Sequence, residues 1–164
     1  MKGGEIVTEF EVAFDTNKEL VFKFLVKLTN DAMLAEELTQ ETFFRAYMNY
    51  NSLKDKEKIS TWLCQIAKNT YFAWYNETKR IEPFYDAERY VSDDNLEDIF
   101  VHKEQTKEAL TKLHELEEPY KEVFMLSVFG GFSLREISSV FGKSESWARV
   151  TFYRAKQKIL ERMK

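Results

Sequence analysis

Cysteine, histidine, proline and glycine are all scarce in this chain of 164 residues, which has one Cys, two His, two Pro and five Gly. A single cysteine, Cys64, excludes an intrachain disulfide and a Cys-x-x-Cys metal site, and it is compatible with a cytoplasmic location. The two histidines are isolated in the sequence, and no nucleophile–base pair or glycine-rich phosphate loop is visible. We therefore expect no enzymatic activity, no cofactor and no bound metal.

Long hydrophobic runs are also missing. The longest, Val123–Phe132, is far short of the ~20 residues that a membrane span requires, and Ser127 and two glycines interrupt it. The N-terminal segment MKGGEIVTEF lacks the apolar centre of a signal peptide. Hydrophobic residues make up 44% of the chain and charged residues 32%, which is typical of a soluble globular protein. The expected location is the cytoplasm.

The charge is distributed unevenly along the chain. The net charge is −4, which is not the basic character of a free-standing nucleic-acid-binding domain. Residues 81–105 carry eight Asp or Glu against two Lys or Arg, whereas residues 143–164 carry seven Lys or Arg against two Asp or Glu. The acidity is therefore concentrated in the middle and the basicity at the end.

The apolar periodicity is that of helices, and the few Gly and Pro favour an all-α fold. Residues 1–16 are weakly patterned and are expected to form a short helix or to fray. A first clear helix is predicted over about Asn17–Thr29 and a second over about Ala32–Tyr50, with Asn30-Asp31 as the break and the N-cap between them.

The second predicted helix has a polar face that is mostly acidic. One interpretation is a solvated helix surface, and the other is a docking surface for a basic partner. The residues of this face are Glu36, Glu37, Gln40, Glu41 and Arg45.

A third helix is predicted over Thr61 to about Arg80, with Ser60 as its N-cap. Its outer face interleaves aromatic rings with cations, which suits contact with unstacked bases because rings stack on bases and cations meet phosphates. The alternative is that the rings pack against a neighbouring helix. The residues expected on this face include Lys68, Asn69, Phe72, Tyr75, Lys79 and Arg80.

The composition divides the chain into two small helical domains, residues 1–80 and 104–164. Between them, residues 81–103 contain a proline and a dense acidic run without a helical period, which is typical of a flexible linker.

The C-terminal domain ends in the pattern of a helix-turn-helix. Ser133 and Glu136 match a capping box, Gly142 supplies a turn with positive φ, and Ser144 is the N-cap of a basic second helix. An ordinary pair of antiparallel helices is the alternative. Four side chains of the second helix are expected to point outward: Arg149, Tyr153, Arg154 and Lys156. Arginine side chains at such positions can recognise guanine edges and bind phosphates.

Three stretches, in order, resemble the extracytoplasmic-function (ECF) sigma factors of bacterial RNA polymerase. LAEELTQETFFRAY (Leu34–Tyr47) is similar to the family's region 2.2, and STWLCQIAKNTYFAWYNETKR (Ser60–Arg80) is similar to regions 2.3 and 2.4. Leu110–Leu160 resembles region 4. The resemblance covers most of the chain and is therefore specific.

The resemblance implies that the first domain binds the β′ clamp helices of core RNA polymerase and the −10 promoter element. The second domain would bind the −35 element and contact the β flap. A restraining anti-sigma factor, often membrane-bound in this family, is a further expected partner. The loop Asn51–Lys58 falls where the family captures a flipped-out base.

Carried over residue by residue, the resemblance assigns core-polymerase binding to Glu37, Gln40, Glu41 and Arg45. The −10 DNA contacts fall on Lys68, Asn69, Phe72, Tyr75, Lys79 and Arg80. The −35 DNA contacts fall on Ser144, Ser146, Arg149, Tyr153, Arg154 and Lys156.

One other class of DNA-binding protein remains open from the residues alone. A stand-alone helix-turn-helix regulator with an N-terminal helical sensor domain would also end in this way. Such a regulator would bind duplex DNA tightly by itself, and it would not need an acidic Leu34–Tyr47 helix.

Overall fold

The structure, a computed structural model, describes residues 2–78 and 110–164, with side chains from residue 9 onward. The predicted linker at residues 81–103 and the site candidates Lys79 and Arg80 lie outside the described residues. The chain divides into two units, Met1–Ala87 and Glu88–Lys164. The described parts of both units are helical and contain no strand, which confirms the all-α prediction.

The first helix, α1, spans Lys2–Thr29 and is much longer than predicted. The expectation that a clear helix begins only near Asn17 was wrong. The ring of Phe10 packs edge-on against Tyr47 and Tyr50, with centroids 5.3 and 5.6 Å apart, and Phe14 packs against Phe43 at 4.6 Å. These long-range aromatic contacts stabilise a segment whose own periodicity is weak.

Helix α2 spans Ala32–Met48, and its predicted N-cap is confirmed. The Asp31 Oδ1 atom accepts hydrogen bonds from the backbone N–H groups of Met33 and Leu34, at 3.0 and 3.2 Å. These bonds satisfy two donors that the first turn leaves free. The helix therefore begins abruptly at Ala32, two residues after Asn30 leaves the helical region with a φ of 52°.

Helix α3 spans Ile59–Thr78 and follows two short 3-10 turns, Tyr50–Ser52 and Lys56–Lys58. The prediction that Ser60 caps this helix was wrong, because the helix already includes Ser60. Its hydroxyl instead donates to Oδ1 of Asn17 on α1, at 2.6 Å. Asp55 caps the preceding 3-10 turn, Lys56–Lys58, where its side chain accepts a hydrogen bond from the Glu57 N–H at 3.0 Å.

Each of the helices α1, α2 and α3 contacts the other two, so the first unit has one core. Aliphatic and aromatic side chains of all three helices fill it, and none of the residues in the following list is more than 4% exposed. They are Val21, Phe24, Leu25, Leu28, Leu38, Phe43, Leu63 and Tyr71. The faces of these helices that point away from the core are exposed and are therefore the candidate binding surfaces.

The described part of the second unit, residues 110–164, contains a helical segment over 110–114 and three helices: α4 (Tyr120–Val128), α5 (Leu134–Phe141) and α6 (Glu145–Met163). Helix α4 contacts both α5 and α6, and α5 contacts α6. Leu116, Val123, Met125, Leu126 and Ile137 are almost completely buried in this unit. None of the helices in the described ranges is long and apolar enough to span a membrane.

The helix-turn-helix of α5 and α6 has the caps that its sequence predicts. Ser133 Oγ accepts from the Glu136 N–H at 3.1 Å while the Glu136 carboxylate accepts from the Ser133 N–H at 3.2 Å. Gly142 ends α5 with a φ of 66°, and Ser144 Oγ accepts from the Trp147 N–H at 3.1 Å. Two residues, Gly142 and Lys143, thus suffice to join α5 to the cap of α6.

Candidate functional sites

The outer face of α2 combines acidic and apolar side chains. Glu37, Glu41, Phe44 and Met48 are spaced at i, i+4, i+7 and i+11, and all four are exposed. This spacing places them in one stripe along the helix. Phe44 and Met48 are each 66% exposed, although both are large and apolar. We call these four residues the α2 stripe.

Sequence reasoning identified the acids of the α2 stripe and missed Phe44 and Met48. The signal that could have found them is their spacing from Glu37 and Glu41, opposite the buried Ala35, Leu38 and Thr42. Exposed apolar side chains next to charged ones are typical of a protein-binding surface.

Three further residues were predicted for this face: Glu36, which is exposed, and Gln40 and Arg45, which flank the α2 stripe. Gln40 is exposed. Arg45 is half-buried and pairs with Glu41, with its Nη2 2.7 Å from the Glu41 Oε1. The pair fixes the Glu41 carboxylate in place and leaves Glu37 as the less compensated acid of the stripe.

On α3, the structure buries Lys68, which is only 6% exposed. Its predicted position on the outer face was wrong. Thr61, Cys64, Lys68 and Tyr71 follow one another at i, i+3, i+7 and i+10, and all four are buried. The helix therefore buries this row in addition to the predicted row of Leu63, Ala67 and Thr70, because two other helices pack against it.

The other predicted residues of α3 remain accessible to different degrees. Asn69 is exposed, whereas Phe72 and Tyr75 are half-buried. Their rings lie beside the buried ring of Tyr71, with centroid distances of 5.1 and 6.1 Å. Both rings therefore pack against a residue of their own helix, and a portion of each still faces solvent.

The only cysteine has no nucleophilic character. Cys64 is completely buried in the first unit, and burial raises the pKa of its thiol to about 12. The side chain is therefore neutral at physiological pH, and it fills space in the core.

The loop between α2 and α3 is organised by Lys56. Its Nζ lies 3.6 Å from the centre of the Tyr50 ring and donates to the carbonyl oxygens of Tyr50 and Leu53, at 3.4 and 3.1 Å. One ammonium group thus links both 3-10 turns of the loop. Lys54, in the same loop, is exposed.

Helix α6 presents its predicted side chains to solvent. Arg149, Tyr153, Arg154 and Lys156 are all exposed, while Ala148, Thr151, Ala155 and Ile159 face the core. This arrangement leaves a basic and aromatic surface on the second helix of a helix-turn-helix, which is the helix that enters the major groove in such motifs.

Two local contacts organise this surface. The Arg149 Nη2 atom lies 3.2 Å from Oε1 of Glu145, and the Lys156 Nζ lies 5.7 Å from the centre of the Phe152 ring. Ser146 is exposed, whereas the hydroxyl of Ser144 is engaged as the N-cap.

Each of the two units matches a family of known proteins. Residues 13–81 match the family model of Sigma-70 region 2, and residues 106–159 match that of Sigma-70, region 4. The ECF RNA polymerase sigma factor SigM of Bacillus subtilis (strain 168) is 32% identical over 147 residues, which cover 85% of each protein.

Two solved structures have a similar fold. One is the sigma factor RpoE in complex with the anti-sigma factor NepR from Bartonella quintana, with a TM-score of 0.56 and 17% identity over 93% of this chain and 95% of that chain. The other is CnrH in complex with the cytosolic domain of CnrY, with a TM-score of 0.56 and 16% identity over 94% and 86% of the two chains.

Both units therefore carry the regions that define one family, in the same order along the chain. The stand-alone regulator is not favoured, because a regulator of that class would have no need of region 2. The chain belongs to the ECF sigma factors of the sigma-70 family and is a promoter-recognising transcription initiation factor.

Proposed function

We propose that this protein directs core RNA polymerase to promoters through different contacts made by its two units. The first unit binds the polymerase and the −10 element, and the second unit binds the −35 element and the β flap. The observation that carries this proposal is the contrast between two exposed helix faces: the acidic, apolar α2 stripe and the basic, aromatic face of α6.

The α2 stripe is the proposed docking surface for the clamp helices of the β′ subunit. Phe44 and Met48 supply apolar area in its C-terminal half, and Glu37 and Glu41 supply charge in its N-terminal half that selects a basic partner. Gln40 and Arg45 lie at its edges, where Arg45 holds Glu41 in place. Burying two apolar side chains that are now 66% exposed gives this interface a hydrophobic contribution.

The C-terminal half of α3 is the proposed contact for the −10 element. Asn69 is exposed for hydrogen bonding to a base edge, and the accessible parts of Phe72 and Tyr75 suit stacking on unpaired bases. Lys79 and Arg80, which follow directly in the sequence, add cations that can meet phosphates. Lys68 needs a rearrangement of its surroundings to reach DNA, because it is buried.

Helix α6 is the proposed reader of the −35 element in the major groove. Arg149 and Arg154 supply guanidinium groups for guanine edges or phosphates, and Tyr153 lies between them around the helix. Ser144 and Ser146 lie at the helix N-terminus, where backbone N–H groups and the helix dipole favour a phosphate. Lys156, ten residues beyond Ser146 on the same helix, is proposed as a further phosphate contact.

Regulation by an anti-sigma factor is part of the proposal. The fold of this chain is similar to that of RpoE, which was solved with the anti-sigma factor NepR. We propose a partner of the same class here, which would act in the cytoplasm, where RNA polymerase is found.

Run-off transcription tests the proposal as a whole. Core RNA polymerase would be assayed with and without the full-length protein on a library of promoter sequences. We expect transcripts from a subset of promoters with related −10 and −35 elements, and only when the protein is present. An equal transcript yield without the protein, or tight duplex binding by the protein alone together with no effect on core polymerase, would contradict it.

A further inference from the structure

Helix α6 exposes an aliphatic side chain in the middle of its basic face. Val150 is 47% exposed and lies on the same side of the helix as Ser146, Tyr153 and Gln157, which are also exposed. The buried row of α6 consists of Ala148, Thr151, Ala155 and Ile159. Val150 therefore points away from the core, and packing within the unit does not account for its apolar character.

The position of Val150 relative to the cations is specific. At about 100° per residue, Val150 and Tyr153 lie between Arg149 and Arg154 around the helix axis. A helix that sits in the major groove directs the centre of its outer face at the bases and its flanks at the two phosphate backbones. Val150 is the sixth residue of α6, within the N-terminal half that contacts base edges in helix-turn-helix proteins.

The chemistry of valine limits which groups in the major groove its exposed side chain can recognise. Valine offers no hydrogen bond, so it can distinguish base pairs only through an apolar group on a base edge. In the major groove that group is the C5-methyl of thymine. We propose that Val150 is a specificity-determining residue that contacts the methyl group of one thymine in the −35 element. This inference rests on the proposed role of α6 in reading the −35 element.

The experiment removes the methyl group from the DNA and the side chain from the protein. Holoenzyme containing the full-length protein first selects its preferred −35 sequences from a library. Each thymine of the selected element, on either strand, is then replaced singly by deoxyuridine, which lacks only the C5-methyl group. Holoenzyme affinity for each duplex is measured with wild-type protein, Val150→Ala, Val150→Thr and Leu160→Ala.

Leu160 provides a matched control on the same helix. It is also aliphatic and 52% exposed, but it lies ten residues beyond Val150, about 15 Å along the axis. Val150→Ala keeps the helix intact, because alanine is the better helix former at an exposed position. Val150→Thr retains one γ-methyl group and the branched shape.

We expect one thymine at which deoxyuridine weakens wild-type binding by roughly fourfold, the value of one buried methyl group. In Val150→Ala that penalty disappears, in Val150→Thr it is partly retained, and in Leu160→Ala it is unchanged. A penalty that is the same in wild type and Val150→Ala, or the absence of any penalty in wild type, overturns the role of Val150. If wild-type holoenzyme selects no −35 sequence, the proposal that α6 recognises the −35 element is rejected, and the proposed thymine contact of Val150 is rejected with it.

Discussion

Lys158 and Glu117 form an ion pair within the C-terminal unit, with the Nζ of Lys158 2.8 Å from the Oε1 of Glu117. Arg162 approaches the second carboxylate oxygen at 3.3 Å. The contacts link the segment before α4 to the last turns of α6. The hydrogen bond from Lys158 is the main reason that the pKa of Glu117 falls to about 2, well below its ordinary value of 4.5.

The Glu117 cluster predicts a defined dependence on acid. Because its pKa is lowered in the folded state, the carboxylate contributes stability that is fully present above pH 4.5 and is lost as the pH falls toward 2. An NMR titration of Glu117 should show a pKa near 2 in wild type and a higher pKa in Lys158→Met. At pH 7 the melting temperature of the wild type should be higher than that of Glu117→Gln. This difference in melting temperature should disappear as the pH falls through about 2. A Glu117 pKa that does not respond to Lys158→Met would contradict the assignment.

Charge reversal on α2 tests polymerase docking. The double variant Glu37→Lys/Glu41→Lys should weaken binding to core polymerase by roughly tenfold or more, because it opposes a basic partner surface with positive charge. Competition binding against the wild-type protein would measure this loss.

The chain offers a matched control for this variant on α1. Asp15 and Glu19 are also exposed acids with a spacing of four residues. Asp15→Lys/Glu19→Lys therefore changes the net charge by the same amount at a different face, and it should bind core polymerase as wild type does. Equal losses in the two double variants would show that only net charge matters, and the docking role of the α2 stripe would then be abandoned.

Truncating Arg149 tests base reading by α6. Arg149→Ala should cost about 1–3 kcal/mol of discrimination between preferred and altered −35 elements. Holoenzyme affinity for the two DNA sequences would be compared at one salt concentration. Arg162→Ala, which lies thirteen residues further along α6, is the control and should leave discrimination unchanged. A uniform loss on all sequences in Arg149→Ala would instead identify Arg149 as a phosphate contact.

The turn at Gly142 predicts a local stability effect. A Cβ atom at this position meets no other atom within 4 Å, so the cost of Gly142→Ala comes only from the left-handed backbone, with its φ of 66°. We expect a loss of about 1 kcal/mol, which corresponds to roughly fivefold faster amide hydrogen exchange in residues 134–163. Gly142→Asn should lose less, since Asn tolerates this conformation. Unchanged exchange in Gly142→Ala would argue against a strained turn.

Local signals in the sequence predicted a large part of this fold correctly. Asp31, Ser133 with Glu136, Gly142 and Ser144 all cap or end helices as predicted, because capping depends on residues within one helical turn. The outward positions of Arg149 and Tyr153 followed from the apolar period of α6 for the same reason. The family was also identifiable, since its motifs are continuous in the sequence.

The errors arose where tertiary contacts outweigh local pattern. Residues 2–16 are helical because Phe10 and Phe14 find aromatic partners on α2 and in the loop after it, far away in the sequence. Ser60 does not cap α3, because the helix begins one residue earlier and Asn17 of α1 engages the hydroxyl. Such partners cannot be read from the segment itself.

The sequence by itself determined the helical class, the caps of α2, α5 and α6, and the membership of the chain in the ECF sigma factors. Only the tertiary structure decided which side chains become buried on a helix that packs against two neighbouring helices. That decision buries Lys68 on α3 and leaves Phe44, Met48 and Val150 in solvent. The physical reason is that burial depends on the positions of the neighbouring helices, whereas periodicity reports only that a helix has faces.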